Sequence, residues 1–412
     1  MWKVETIIFA PETFNLAETT RGVEVAKKCR GVFECIFMGY STEYSSLIEE
    51  AGFIFHHLEP HLKDEEIKQI MKADQMKTVR HPFTFTMLNS RVKNEKKLIA
   101  KYKPVAIVIG TTLSMFISAR ACSIPLVYIK PFAYTRPYFL YGHLELPHFL
   151  QIRIIPQTFT LNLFRKLALG ITMKPRSFSK VAKLQHIKLP KYTIDALDAD
   201  YNLITTVPEI TGVSKLPDNY MYVGPVFAKL NGDIPKEIRT ISSRSRYPVV
   251  YFAMGSSGGK DLIIKILLAL SELPVTVICP MRKVLGSSTS LFLNKKNIYL
   301  FDLLPAHKLA EFIDLSIIHG GEGTVQTACL TGKPFIGVGL QPEQVTNIKE
   351  CVIFGNALEL RKNRINKSEI EKRIHAVLNS QQLKKRAEIM KDLLENKDGA
   401  ANAANFLVET FG

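Results

Sequence analysis

The sequence predicts an α/β protein built from two Rossmann-like halves, and three observations carry that prediction. Short apolar runs alternate with helical stretches along the chain, the pattern of parallel sheets assembled from βαβ units. A strand-like segment breaks at Gly224-Pro225, where a first half would end. Farther on, the apolar run Leu315–Ile318 leads into His319-Gly320-Gly321-Glu322-Gly323-Thr324, which reads as a strand, a glycine turn and a helix start. With 412 residues the chain is long enough to close two full cores.

In the first half the strand candidates are Val4–Ala10, Val32–Met38, Phe53–Leu58, Val105–Gly110, Leu126–Lys130 and Tyr201–Thr206. Ser45–Ala51 reads as a helix that Gly52 terminates. After Tyr222-Val223-Gly224-Pro225 comes a linker, Asn231-Gly232-Asp233-Ile234-Pro235, so the halves are placed at 1–228 and 229–385. In the second half the strands are Val249–Met254, Val275–Cys279, Ile298–Phe301, Leu315–His319, Phe335–Gly339 and Ala357–Arg361. Gln382–Phe411 reads as a charged helix, a turn at Asp398-Gly399 and an alanine-rich helix.

A hydrophobic content of 46% with 22% charged residues belongs to a globular protein. The six cysteines are scattered without a CxxC pair, so neither a disulfide framework nor a zinc site is expected, and the setting is read as reduced and cytoplasmic. The N-terminus lacks the regions of a signal peptide. Pro104–Ala119, the longest charge-free apolar stretch, is too short and too polar to span a bilayer. The net charge of +16 is unevenly placed: residues 146–194 hold nine Lys or Arg and no Asp or Glu, with Phe and Leu interleaved. Three readings stand for this insertion: a solvated basic segment, a surface that rests peripherally on an anionic membrane, or an attractor for an anionic acceptor. Nucleic acid is not an expected partner.

The glycines of 319–324 let the backbone approach a ligand, and the first turn of the following helix offers free N–H groups and a positive dipole end, a natural seat for phosphate. Gly332-Lys333-Pro334 follows, then Glu343-Gln344 with Asn347. This ordered set resembles the donor signature of the GT-B glycosyltransferases, specifically the UDP-glycosyltransferase and antibiotic (macrolide-type) glycosyltransferase superfamily. The resemblance implies two Rossmann-like domains whose parallel sheets face each other across a cleft. The first domain would bind the acceptor, the second a nucleotide-sugar, and residues 386–412 would return to the first domain. Carried over residue by residue, His319, Gly320, Gly321, Gly323 and Thr324 would hold the diphosphate, and Glu343 with Gln344 the sugar. Thr327 stands where many members place a ribose-binding Glu, a replacement also seen among antibiotic-type members.

Gly255-Ser256-Ser257 resembles the loop that opens the family's donor domain, with Ser256 and Ser257 near the phosphates. Although Lys260 follows, the spacing is one short of a P-loop. Arg282 is either a charged contact to the nucleotide or a solvated side chain. In Phe301-Asp302-Leu303-Leu304-Pro305, the backbone of Leu304 would read the edge of a pyrimidine, with Leu303 in the place of a stacking platform. UDP and dTDP are not distinguished. Asp198-Ala199-Asp200 mimics a metal-binding DxD motif and is read as a solvated turn. No metal and no cofactor is expected, the nucleotide-sugar being a co-substrate. The aromatic group Phe132, Tyr134, Tyr138, Phe139 and Tyr141 is assigned either to the acceptor side or to the core.

Aligned on Arg21 and Ala26, Glu18 occupies the position of the family's base His, and Gly110 that of the Asp orienting it. Glu18 is therefore the candidate catalytic base; a charged cap at a helix start is the other reading. The function implied is an inverting, metal-independent glycosyltransferase of hexosyltransferase type. Its donor would be a UDP- or dTDP-sugar and its acceptor a small molecule or a lipid. The absent His/Asp pair leaves a second reading, a catalytically silent nucleotide-sugar sensor or partner subunit.

Overall fold

The computed structural model describes residues 4–74, 78, 80–144, 157–226, 232–255 and 258–412. Ser256 and Ser257 therefore lie outside the described residues, as does the start of the basic insertion. Two compact units emerge, one of residues 1–228 with 398–412 and one of residues 229–397.

The first unit is a seven-stranded sheet made of β1 (Glu5–Ala10), β2 (Phe33–Gly39), β3 (Ile54–His57), β4 (Ala106–Ile109), β5 (Leu126–Lys130), β6 (Tyr201–Ile204) and β7 (Tyr220–Tyr222). The spatial order is β3-β2-β1-β4-β5-β6-β7, every pairing parallel. The strands read as unbroken apolar runs because helices cover both faces of the sheet. On one face Ile8, Ile36, Met38 and Ile107 pack with the helices around Leu98 and Phe116. On the other, Phe9, Phe37 and Val108 pack with Val23 and Val25 of the helix Leu16–Lys28.

That second layer is completed from the far end of the sequence. The helix Gly399–Phe411 sends Ala400, Ala403, Ala404 and Leu407 into the same core. Asp398 caps it, its side chain accepting from Ala401 N at 3.0 Å. Gly399 has to be glycine: a Cβ there would lie 2.2 Å from the Gly224 carbonyl oxygen. The preceding helix, Gln381–Glu395, belongs instead to the second unit.

The second unit is a six-stranded parallel sheet of β8 (Val249–Ala253), β9 (Thr276–Cys279), β10 (Ile298–Leu300), β11 (Leu315–Ile318), β12 (Phe335–Gly337) and β13 (Ala357–Glu359). Its order is β10-β9-β8-β11-β12-β13. Val250, Phe252, Ile317 and Ile336 form its core with Ile263, Ile266 and Ile370. Each sheet reverses its winding once, between β1 and β4 in the first unit and between β8 and β11 in the second. Loops leaving the carboxyl ends of such neighbouring strands diverge and open a crevice, the usual ligand seat of a doubly wound sheet.

Candidate functional site

In the second unit, the loops at the switch point start at Met254 after β8 and at His319 after β11. His319 is buried, and its imidazole is lodged between two glycines. A Cβ on Gly255 would stand 2.4 Å from Cε1 and one on Gly321 would stand 2.6 Å from Nε2. Gly255 and Gly320 also have φ of +56° and +85°, in the region that favours glycine. A Cβ on Gly320 would lie 2.7 Å from the Gln344 carbonyl, so the turn packs directly on the helix Pro342–Phe354. Asn347 holds it there, Nδ2 donating to the Gly320 carbonyl at 3.0 Å and also to Glu343.

The helix Glu322–Leu330 begins at Gly321, a cap without a side chain to accept from the first turn. Thr324 N donates back to the Gly321 carbonyl at 2.9 Å. A Cβ on Gly323 would meet nothing within 4 Å, so this turn faces open space. Burial pushes the His319 imidazole down to about 4, against an opposing pull from the backbone of Ala253. It is therefore a neutral ring at the tip of a helix, able to donate a hydrogen bond or to take a proton when an anion arrives.

The remaining donor-side residues divide. Thr327 turns its hydroxyl back onto its own helix, donating to the Gly323 carbonyl at 2.7 Å. Gln344 is buried, and its Oε1 accepts from Leu340 N at 3.1 Å. Arg282 is half-exposed, bonded to the Leu300 carbonyl and 4.0 Å from Asp302. Leu303 is 64% exposed, while the Leu304 side chain sits in the core beside Phe301 and Leu309. The sequence reading missed Glu350, buried on the helix Pro342–Phe354. Burial first, then Glu322 and Glu343, raises its pKa well above the usual carboxylate range.

In the first unit Glu18 lies in the first turn of the helix Leu16–Lys28, where Asn15 is the cap, accepting from Ala17 N at 3.0 Å. Glu18 is not a surface residue. It is 8% exposed and bridges the two switch-point loops. Oε2 accepts from Glu12 N at 3.1 Å and from Thr111 N at 2.8 Å, and Oε1 accepts from Thr111 Oγ1 at 2.7 Å. A small pocket beside it is lined by Pro11, Glu18, Arg21 and Gly110.

Behind Glu18 is a buried charge cluster absent from the sequence reading. Arg91, fully buried, donates from Nη1 to Glu12 Oε1 at 3.0 Å and stacks on Tyr40 at 3.7 Å. Glu95 accepts from Tyr40 at 2.6 Å and from Ser114 and Ser118. Burial raises the Glu12 carboxyl to about 7; Arg91 opposes the rise, while Glu18 and Glu95 add to it.

One expectation is corrected. Asp198 is no solvated turn: it accepts from the buried Lys130 Nζ at 3.0 Å and from Tyr220. It is there because an ammonium buried at the end of β5 requires a counter-charge. Phe132 and Tyr138 are core, stacked edge-to-face at 5.9 Å and packed on Ile204 and Val213, whereas Tyr141 is exposed. Among the described residues no group of His, Cys, Asp or Glu is arranged to hold a metal ion.

The chain is similar to known proteins in sequence and in fold. Residues 266–408 match the family described as Erythromycin biosynthesis protein CIII-like, C-terminal domain. A PGL/p-HBAD biosynthesis glycosyltransferase of Mycobacterium tuberculosis is 24% identical over 396 residues, covering 93% of this chain and 87% of the relative. A PGL/p-HBAD biosynthesis rhamnosyltransferase of Mycobacterium bovis is 24% identical over 389 residues, covering 94% and 83%. Among solved structures, the calicheamicin glycosyltransferase CalG4 superposes with a TM-score of 0.68 at 14% identity, covering 100% of this chain and 98% of that one. The glycosyltransferase VinC in complex with dTDP gives 0.68 at 13% identity, covering 98% of both chains. The chain thus has the GT-B fold, its residues 266–408 match an EryCIII-like C-terminal domain, and glycosyltransferases are similar to it over most of its length.

Proposed function

We propose that this protein transfers a sugar from a pyrimidine nucleotide-sugar, a UDP- or dTDP-sugar, to a hydroxyl of a small-molecule or lipid acceptor, with inversion and without a metal ion. The observation that carries the reading is His319, a buried neutral imidazole clasped by Gly255 and Gly321 at an open helix tip. Phosphoryl oxygens at that tip would gain backbone N–H donors, the helix dipole and one imidazole N–H, all preorganised for the charge that grows as the diphosphate departs. VinC binds dTDP, and the Mycobacterium relatives are named for glycosyl and rhamnosyl transfer. Those names favour a sugar donor over another nucleotide ligand.

In the proposed step the acceptor oxygen forms a bond to the anomeric carbon as the carbon–phosphate oxygen bond breaks. The hydroxyl proton goes to Glu18 and the electron pair leaves with the nucleoside diphosphate. Glu18 suits this role because its carboxylate is fixed by Thr111 and Glu12 beside a small pocket.

Thermal unfolding with UDP-, dTDP- and GDP-sugars tests the donor reading. A pyrimidine nucleotide-sugar at a hundred times its dissociation constant should add about 2.7 kcal/mol, and H319A should remove the response. No response to any of them would end the proposal. Transfer across a mixed acceptor panel then separates the enzyme from a silent sensor. Full activity in E18Q would remove Glu18 as the base.

A further inference from the structure

Residues 146–194 carry cations without a single acid, and the structure adds an apolar face to that segment. Phe159, Leu163 and Leu167 recur every four residues along the helix Gln157–Gly170 and so share one face, with Ile171 and Met173 following. These five side chains are from 48% to 76% exposed. The helix is anchored elsewhere, for Arg165 donates from Nη2 to the Gly142 carbonyl at 2.7 Å. An unbroken apolar stripe of this kind marks an interaction surface, unlike single exposed leucines.

Cations lie at its end and on the helix that follows in sequence. Thr193 N donates to the Ile171 carbonyl at 2.8 Å and Lys174 Nζ to the Lys191 carbonyl at 2.7 Å, which brings Lys191 alongside the end of the stripe. The neighbouring helix Arg176–Leu184 buries Val181 and Ala182 against Leu88, Val92 and Ile117. Arg176, Lys180 and Lys183 are left exposed on that helix. A second copy of the chain is a poor occupant, since it would set the same cations against each other. Anionic headgroups complement them, and acyl chains accept the stripe.

We propose that the helix Gln157–Gly170 and its basic neighbour dock this protein peripherally on an anionic lipid surface. The inference goes beyond the transfer reaction. Vesicle binding requires neither donor nor turnover, so the two proposals stand or fall separately.

Flotation of the full chain with phosphatidylcholine vesicles, with and without phosphatidylglycerol, tests it. The chain should float only with the anionic vesicles and sink again in high salt. L163E/L167E should abolish flotation while keeping the wild-type thermal transition, and K180A/K183A should weaken partitioning about fivefold for each lysine removed. Absence of flotation on anionic vesicles overturns the proposal, and so does undiminished flotation of L163E/L167E. A dimer in sedimentation that L163E/L167E dissociates, without vesicle binding, would make the stripe a self-interface and equally overturn it.

Discussion

The carboxylate of Glu18 occupies the space that a side chain at position 110 would need: a Cβ on Gly110 would fall 2.0 Å from Glu18 Oε2. With no side chain at 110, Glu18 reaches across to the backbone of the β4 loop and is oriented by Thr111 instead. G110A should therefore lower stability by roughly 1–3 kcal/mol through overpacking. In an E18A background the same change should do much less harm. Urea unfolding of the four proteins measures the coupling; strictly additive losses would show that the two positions do not compete for space.

His319 should take up a proton when donor binds. Its free imidazole titrates at about 4, and a bound diphosphate favours the charged ring, raising that value. Between the two values the complex holds more protons than the free protein, so affinity rises as pH falls. UDP-glucose is a suitable ligand because its bridged diphosphate stays ionised. Calorimetry in buffers of different ionisation enthalpy should show proton uptake near pH 5, absent in H319A. A pH-independent affinity would place the imidazole away from the phosphates.

Glu12 should make the protein less stable as pH rises from about 4.5 to about 7. Its folded carboxyl titrates near 7 against 4.5 when unfolded, so the folded state holds the extra proton in that window. Stability from this group is present below 4.5 and lost by about 7, a swing of at most roughly 3 kcal/mol. E12Q should flatten this part of the profile in chemical unfolding across pH. An unchanged slope would assign it to other groups.

L407A should cost about 2–5 kcal/mol, the range for emptying a buried leucine site. Leu407 is fully buried in the first-unit core, so the loss should appear in the unfolding of that unit. Calorimetry should show its transition moving down in temperature while that of residues 229–397 stays.

The sheets were legible because each strand of a doubly covered parallel sheet is a short apolar run, as at Leu126–Lys130, where the expected and observed bounds coincide. The glycine turn at 319–323 was legible for a related reason: glycine reports directly on a backbone that needs positive φ or close contact. The clasp on the imidazole also needs Gly255, far from His319 in sequence, and nothing local joins them. Glu95 and Arg91 were invisible for the same cause. On the helix Phe85–Tyr102 they read as ordinary charged positions among many lysines, and only the fold turns them inward toward Glu12 and Tyr40. Lys130 and Asp198 repeat the case, since a buried ion pair leaves no periodic trace.

The placement of the helix Gly399–Phe411 in the first core sets an order of events during synthesis. The unit of residues 229–397 is contiguous and draws no segment from elsewhere in the sequence. The unit begun by Glu5 must wait, its sheet lacking part of one cover until Leu407 emerges. Through that interval Phe9 and Phe37 have an unfinished roof, and chaperones would find their handhold there. Loss of any part of the helix Gly399–Phe411 would thus strike first at the portion of the protein made earliest.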